Sequence, residues 1–271
     1  IGYVFIFFIL LLEGIYFTAY NIQGAYPVFG NTLSAITFLF LILIPVLTMK
    51  TLAEERRQKT DQMLFTSPVS VENIVLGKYL ALVTVYMIPV FVICFYPLIM
   101  SKYGTVSYAM AYTAILGFAF MGFAELSIGV FISSLTENPV IAAVVGFLVL
   151  FVCFMSEGIG SLVAETSVTS LAIYMVMVAA AAYLIYYMIK NVLIPLIIGL
   201  AGEIVLVVLY IVDSTRFEGS FQDFLTIFDI TSHFDNFTNG ILDIQGLIYF
   251  LSIIVIFLFL TIQSIKKRRW S

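Results

Sequence analysis

The sequence predicts an all-α, polytopic integral membrane bundle, and three observations carry that prediction. First, 62% of the residues are hydrophobic and 10% are charged, against about 25% charged in an ordinary soluble domain. Second, the apolar residues form long continuous runs, unlike the weak alternating segments of an outer-membrane barrel. Third, the charged residues collect in a few separators between those runs. A soluble fold of 271 residues cannot hide so much apolar surface, whereas a bilayer accepts it. The chain reads as a single transmembrane domain over 1–271.

A helix crosses the hydrocarbon core of about 30 Å with about 20 apolar residues, and eight segments qualify: 1–19, 32–49, 74–100, 107–133, 139–155, 168–189, 192–212 and 246–265. The first starts inside an apolar run at Ile1; a cleaved signal peptide leaves a polar start, so a natural segment ahead of Ile1 is expected. Gln23-Gly24-Ala25-Tyr26-Pro27 supplies the turn into the second. The third carries Pro89 and Pro97, each of which removes an intrahelical donor and should bend it. Beyond Ser101-Lys102-Tyr103-Gly104, the fourth contains Gly117, Gly122 and Gly129, which permit close helix approach. Thr136-Glu137-Asn138-Pro139 leads into the fifth, which is short and runs into Ser156-Glu157-Gly158-Ile159-Gly160-Ser161. It reads either as a full span or as a half-span that re-enters the outer face. Lys190-Asn191 separates the sixth from the seventh. The longest stretch between spans, 213–245, repeats Phe217, Phe221, Phe224, Leu225 and Phe228 at helical spacing, with Glu218, Gln222, Asp223 and Asp229 between them. That pattern predicts an amphipathic helix on the outer interface.

Basic residues orient such a bundle, because they are retained on the cytoplasmic side. Placing 50–78, Lys190 and the tail Lys266-Lys267-Arg268-Arg269 inside puts ten of the twelve basic residues there and leaves Lys102 and Arg216 outside. Eight spans in that orientation put both termini in the cytoplasm, with the chain in the cytoplasmic (inner) membrane. Cys94 and Cys153 both fall within spans and form no disulfide framework. The net charge of −4 gives no footprint for nucleic acid.

The loop 50–78 concentrates five of the basic residues: Lys50, Arg56, Arg57, Lys59 and Lys78. Glu55 and Lys59 stand four apart with the acid first, the favourable helical pairing. Leu52, Met63, Leu64 and Phe65 supply apolar residues near each end. Pro68 drives Ser67 out of helical geometry, and a second helix starts after Ser67 or Ser70, with Glu72 well placed near its N-terminus. The expectation is a short amphipathic helix, a break, and a helix that enters the membrane at Gly77-Lys78. A plain solvated loop, whose charges serve only topology, is the simpler reading.

These residues resemble a known pattern. Leu52 to Lys78 fits L-A-E-E-R-R-x-x-T-x-x-x-L-x-x-S-P-V-S-x-x-x-I-V-L-G-K, which is similar to ABC type-2 transporter permeases, most nearly the gliding-motility and copper-maturation branch. The resemblance extends to Ile1-Gly2-Tyr3-Val4-Phe5, Ser133-Ser134-Leu135-Thr136-Glu137-Asn138, His233-Phe234-Asp235-Asn236-Phe237, Gly240-Ile241-Leu242-Asp243, Phe257-Leu258-Phe259-Leu260-Thr261 and Arg268-Arg269-Trp270. It implies that the loop docks in a groove of a separate cytoplasmic ABC ATPase. Glu54, Glu55, Arg56, Lys59, Thr60, Asp61 and Leu64 are then the contact candidates, and Ser67, Pro68, Val69 and Ser70 shape the turn. It also implies a second permease chain, identical or related, and a six-span plan to which this chain adds a hairpin around Lys190-Asn191. ATP and magnesium belong to the ATPase, and no cofactor is expected on this chain. In the family an amphipathic cytoplasmic helix often precedes the first span.

Three acids fall within spans: Glu13, Glu125 and Glu203. An ionised side chain at the bilayer centre costs about 2.5–3.5 kcal/mol, so each faces protein or water, or carries a proton. Glu125, mid-way along the fourth span, is the candidate for a translocation route, against the plainer reading of a buried neutral carboxyl bonded to a neighbouring helix. For Glu13 and Glu203 a structural role is the expectation. The chain has no G-x-x-x-x-G-K-[ST] loop, no G-x-S-x-G motif, one histidine (His233) and no paired metal-ligand spacing. Catalysis and metal binding by this chain are therefore not expected. The expected function is transport of a substrate, in the export direction common in the family, powered by the partner. The alternatives are a secondary transporter or channel that needs no ATPase, and a membrane anchor for a larger complex.

Overall fold

The structure, a computed structural model, describes residues 1–60, 69–189 and 193–269. The apolar runs form helices because the bilayer offers backbone groups no partner, and a helix satisfies them internally. Helix α1 (Gly2–Phe17) passes into a π-helical turn, Thr18–Gln23, and is followed by α2 (Phe29–Thr48) and the short α3 (Ala53–Arg57). Next come α4 (Val71–Ile93), α5 (Tyr96–Met100), the 28-residue α6 (Tyr108–Leu135) and α7 (Pro139–Leu162). Helices α8 (Ser167–Ile189) and α9 (Leu193–Val212) precede a 3-10 turn, Ser214–Phe217. The chain ends with α10 (Ser220–Thr226), α11 (Ser232–Thr238) and α12 (Ile244–Arg269).

Among the described residues, seven helical stretches are long and apolar enough to cross a membrane, and the protein is a multi-pass helical membrane protein. The segment predicted over 168–189 is helical as α8, and Ser167–Tyr183 counts as a shorter apolar helix. Lys190 and Asn191, the predicted hairpin tip, lie outside the described residues. The half-span reading of the fifth segment gives way: α7 runs for 24 residues and continues through the Gly/Ser stretch. Its start is well made. Asn138 Oδ1 accepts the Val140 N–H at 2.9 Å, Thr136 Oγ1 accepts the Asn138 N–H at 3.1 Å, and Pro139 occupies the first helical position. In the third segment Pro89 is accommodated inside α4, while the helix breaks at Cys94–Phe95 and Pro97 opens α5.

Contacts divide the chain into two compact units, Ile1–Phe154 with Ile230–Ser271, and Met155–Asp229. In the first, α6 is the central element; it packs on α12, α2, α11 and α4, and 72% of its most apolar window is buried. Two glycines make this approach possible. A Cβ on Gly122 would lie 2.3 Å from Cζ of Tyr86, and one on Gly129 would lie 2.3 Å from Oγ1 of Thr48.

In the second unit α8 packs on α9, with Gly202 beside Val178. The stretch after α9 is not the single amphipathic helix that its spacing predicts. Gly219 at φ +70° separates the 3-10 turn from α10, and three of the phenylalanines turn inward while Phe228 stays exposed. Phe217, Phe221 and Phe224 ring Tyr174, whose hydroxyl donates to the Ser220 carbonyl at 2.9 Å.

In the first unit, Asp243 caps α12. Its carboxylate accepts the Gln245 N–H at 2.9 Å and the Asn236 amide at 2.8 Å. The Asn236 amide above all, with the backbone N–H groups, holds this carboxyl below the usual aspartate range. A carboxyl that is more acidic in the fold than in the open chain stabilises the fold above the open-chain pKa. That contribution is lost as pH falls through the folded value. Asp243→Ala is expected to cost about 1 kcal/mol of cap stability. The cost should shrink as pH falls through the folded value, as read from unfolding midpoints of the purified protein over a descending pH series from pH 7.

Candidate functional site

The charged loop builds a platform at one end of the first unit. Helix α3 is only five residues long, and its N-cap residue, Leu52, makes no side-chain cap. A helix this short is not stable by itself, so its ties to the rest of the bundle hold it. Ser133, on the last turns of α6 and fully buried, supplies the missing cap from 81 residues away. Its Oγ accepts the Leu52 and Ala53 N–H groups, both at 3.1 Å, and donates to the Met49 carbonyl at 3.1 Å. That one hydroxyl satisfies two of the orphan donors that every helix start leaves.

Charge completes the attachment. Arg56 donates to the Ser134 carbonyl and to Glu137, both at 3.0 Å, and its side chain is 15% exposed. Arg268 of α12 donates to the Leu135 carbonyl at 3.2 Å. Two guanidiniums thus meet the free carbonyl end of α6, where positive charge is favourable. Lys78 of α4 bonds the Thr51 carbonyl at 2.9 Å and forms an ion pair with Glu55. Lys266 of α12 pairs with Glu72 in the first turn of α4. Ser70 N-caps α4, its Oγ accepting the Asn73 N–H at 3.4 Å.

The predicted contact residues therefore divide. Glu55 and Arg56 are engaged with the bundle, and Glu54 holds the Gln58 amide at 2.7 Å. Lys59 and Thr60 are exposed. Glu55 pairs with Lys78 rather than Lys59, because α3 ends at Arg57 and Lys59 turns to φ +57°. The Lys59 N–H reaches the Arg56 carbonyl and the Thr60 N–H reaches the Glu55 carbonyl, the double bond of a Schellman ending. Glycine is the usual residue there, and a side chain in this conformation costs about 1–2 kcal/mol. Val69 and Ser70 are exposed at the start of α4, while Asp61, Leu64, Ser67 and Pro68 lie outside the described residues. Arg57 and Gln58 were not among the predicted contact residues, yet with Lys50, Lys59 and Thr60 they form the exposed face. No described acid pairs with Lys50, Arg57 or Lys59. The signal for Arg57 was its place in the Arg56-Arg57 pair; which of the two faces outward is decided by packing.

A second feature lies within the span region. Glu13 is fully buried and Glu125 nearly so. Both oxygens of Glu13 and Oε2 of Glu125 have no hydrogen-bond partner among the described residues. The buried Tyr86 hydroxyl is committed to the Phe118 carbonyl at 2.8 Å. Glu203, by contrast, is half-buried. The sequence reading assigned Glu125 to a translocation route and gave Glu13 a structural role; it did not foresee that Glu13 is buried as deeply. The signal was available in the fourfold spacing of Phe5, Ile9, Glu13 and Phe17, the buried positions of α1, but a helix that is apolar all round masks it.

Among the described residues no group of three or more His, Cys, Asp or Glu side chains is placed to hold a metal ion. A family model described as ABC-2 family transporter protein matches residues 15–262. No curated protein and no solved structure matches the chain.

Proposed function

The chain belongs to the ABC-2 family of transporter proteins, and from that premise we propose that it is the permease subunit of an exporter driven by a separate ATPase chain. The observation that carries this reading is the α3 platform: exposed Lys50, Arg57, Gln58, Lys59 and Thr60 on a support tied to α4 and α6. Such a face, basic and without described acidic partners, suits an acidic groove on a soluble protein. Lys59 keeps an unfavourable backbone conformation at its tip, which is expected where the side chain itself is needed. In this reading Arg57, Gln58, Lys59 and Thr60 touch the ATPase, Glu55 and Arg56 position α3, and Glu54 orients Gln58. Asp61, Leu64, Ser67, Pro68, Val69 and Ser70 continue the docking loop.

The basic end then faces the cytoplasm of the inner membrane, with both termini on that side. A second permease chain, identical or related, completes the pathway. ATP and magnesium act on the ATPase, and its closure pushes α3 and shifts the bundle between inward and outward access. The loop's resemblance to the gliding-motility and copper-maturation branch supports assigning the chain to that branch.

The test is reconstitution with the ATPase that co-purifies. Arg57→Glu with Lys59→Glu is expected to weaken that association at least about tenfold, the loss of about 1.4 kcal/mol or more of interfacial charge complementarity, while membrane insertion is unchanged. Association at full strength in the double variant refutes docking through this face. A second reading, transport without an ATPase, is favoured by the unpartnered carboxyls of Glu13 and Glu125, since intramembrane acids mark ion pathways. Uptake by vesicles that contain this chain alone, under an ion gradient without ATP, would establish it.

A further inference from the structure

The hydrogen bonds around Ser133 have a mechanical consequence, and it rests on the docking reading of α3. A load applied to the exposed residues 57–60 reaches the bundle through the backbone at 49–52, the packing of buried Leu52 and Ala53, and the polar ties of α3. Two of those ties are ion pairs on long side chains: Arg56 to Glu137, whose carboxylate is 70% exposed, and Lys78 to Glu55. Ion pairs of this kind on flexible stems are weak and screened. The Ser133 hydroxyl differs in kind. It is buried, its side chain has a single rotor, and it bonds three backbone groups on both sides of the 49–52 turn. It joins the end of α2, the start of α3 and the last turns of α6 at one atom.

One helical turn from Ser133, Gly129 presses on Thr48 of α2, and one turn further is Glu125. Residues 125, 129 and 133 share one face of α6 by their fourfold spacing. We propose that Ser133 is the positioning residue through which α3 and the C-terminal half of α6 move as one body. Movement of α3 is thereby delivered to the buried face that carries Glu125. Arg56 and Lys78 hold the outer side of α3 against rotation, and Ser133 fixes its inner side.

Two measurements test this. The first needs no partner: amide hydrogen exchange in the purified protein. Ser133→Ala is expected to speed exchange at Leu52 and Ala53 at least about tenfold, the loss when buried donors are left without their acceptor, while Ile128 amide exchange stays slow. Ser133→Thr, which keeps the hydroxyl, is expected to restore protection. Equal protection in the wild type and Ser133→Ala overturns the pin.

The second measures coupling. Spin labels are placed at Thr51→Cys, in the turn that Ser133 bonds and outside the ATPase contact face, and at the exposed Leu135→Cys at the end of α6, in a background of Cys94→Ser and Cys153→Ser, with the co-purifying ATPase bound and the distance read from dipolar broadening. On trapping with ATP and vanadate, the label-to-label distance is expected to stay constant when Ser133 is present and to shift in Ser133→Ala, with ATPase affinity unchanged. The same response in both proteins overturns the proposal. Failure of any ATPase to bind the wild type refutes the docking reading instead, and the exchange measurement alone then decides whether Ser133 pins α3.

Discussion

Replacing Gly122 with leucine is expected to prevent the first unit from packing, with loss of monodisperse protein after extraction. A Cβ at this position would lie 2.3 Å from Cζ, 2.5 Å from the hydroxyl and 2.7 Å from Cε1 of Tyr86. That ring has nowhere to go. Tyr86 is fully buried, its hydroxyl is bonded to Phe118, and its ring lies against Phe5, Phe40, Phe118 and Phe123. Overpacking a core of this kind costs about 1–3 kcal/mol in tolerant sites, and more where neighbours cannot shift. Tyr86 must either abandon its carbonyl or push α4 away from α6. Gly77→Leu is the control, because nothing lies within 4 Å of its Cβ position. That variant should behave as wild type in size-exclusion chromatography and thermal unfolding. A Gly122→Leu protein with an unchanged unfolding midpoint would contradict the described contact between α4 and α6.

The second large effect runs in the opposite direction. Glu13→Leu and Glu125→Leu are each expected to stabilise the protein while abolishing or impairing transport. An oxygen buried without a donor costs about 1–3 kcal/mol, and an apolar side chain of similar size removes that cost. Glu13 leaves both oxygens without a partner and Glu125 leaves one, so Glu13→Leu should give the larger gain. For a chain of this size, each 1 kcal/mol corresponds to roughly 2–4 °C in the unfolding midpoint. Residues that cost stability and are nonetheless present commonly serve function. A fall in the midpoint of Glu13→Leu would mean that this carboxyl has a partner, such as a bound water, a lipid group or a second chain. A rise with transport intact would make both acids dispensable.

How far these features were legible in advance depends on the distance in sequence between cause and effect. The start of α4 was readable, since its cap Ser70 and first-turn acid Glu72 lie next to the helix start itself. The close approaches at Gly122 and Gly129 were foreseeable as a type, because small residues let membrane helices pack closely. Their partners, Tyr86 and Thr48, lie tens of residues away and were not. The loop was recognisable by its charge, yet its pairing was misjudged. Glu55 and Lys59 have the spacing of a helical ion pair, but α3 stops at Arg57 and Glu55 turns to Lys78. The phenylalanines of 217–228 had a true helical period. What broke that helix was one left-handed glycine, Gly219, whose conformation no periodicity reveals.

By itself, then, the amino-acid order determined the class of solvent this chain lives in, the helical character and approximate limits of its spans, and where its charges gather. Those properties follow from hydrophobicity and backbone hydrogen bonding, which act residue by residue or within a turn. Only the tertiary structure decided that Arg56 faces inward and Arg57 outward, that Glu13 is as deeply enclosed as Glu125, and that Ser133 caps a helix 81 residues before it. Each of these depends on which side of a helix meets which neighbour. In a sequence apolar on nearly every side, the hydrophobic pattern does not single out that side; close packing and the need to pair buried polar groups do.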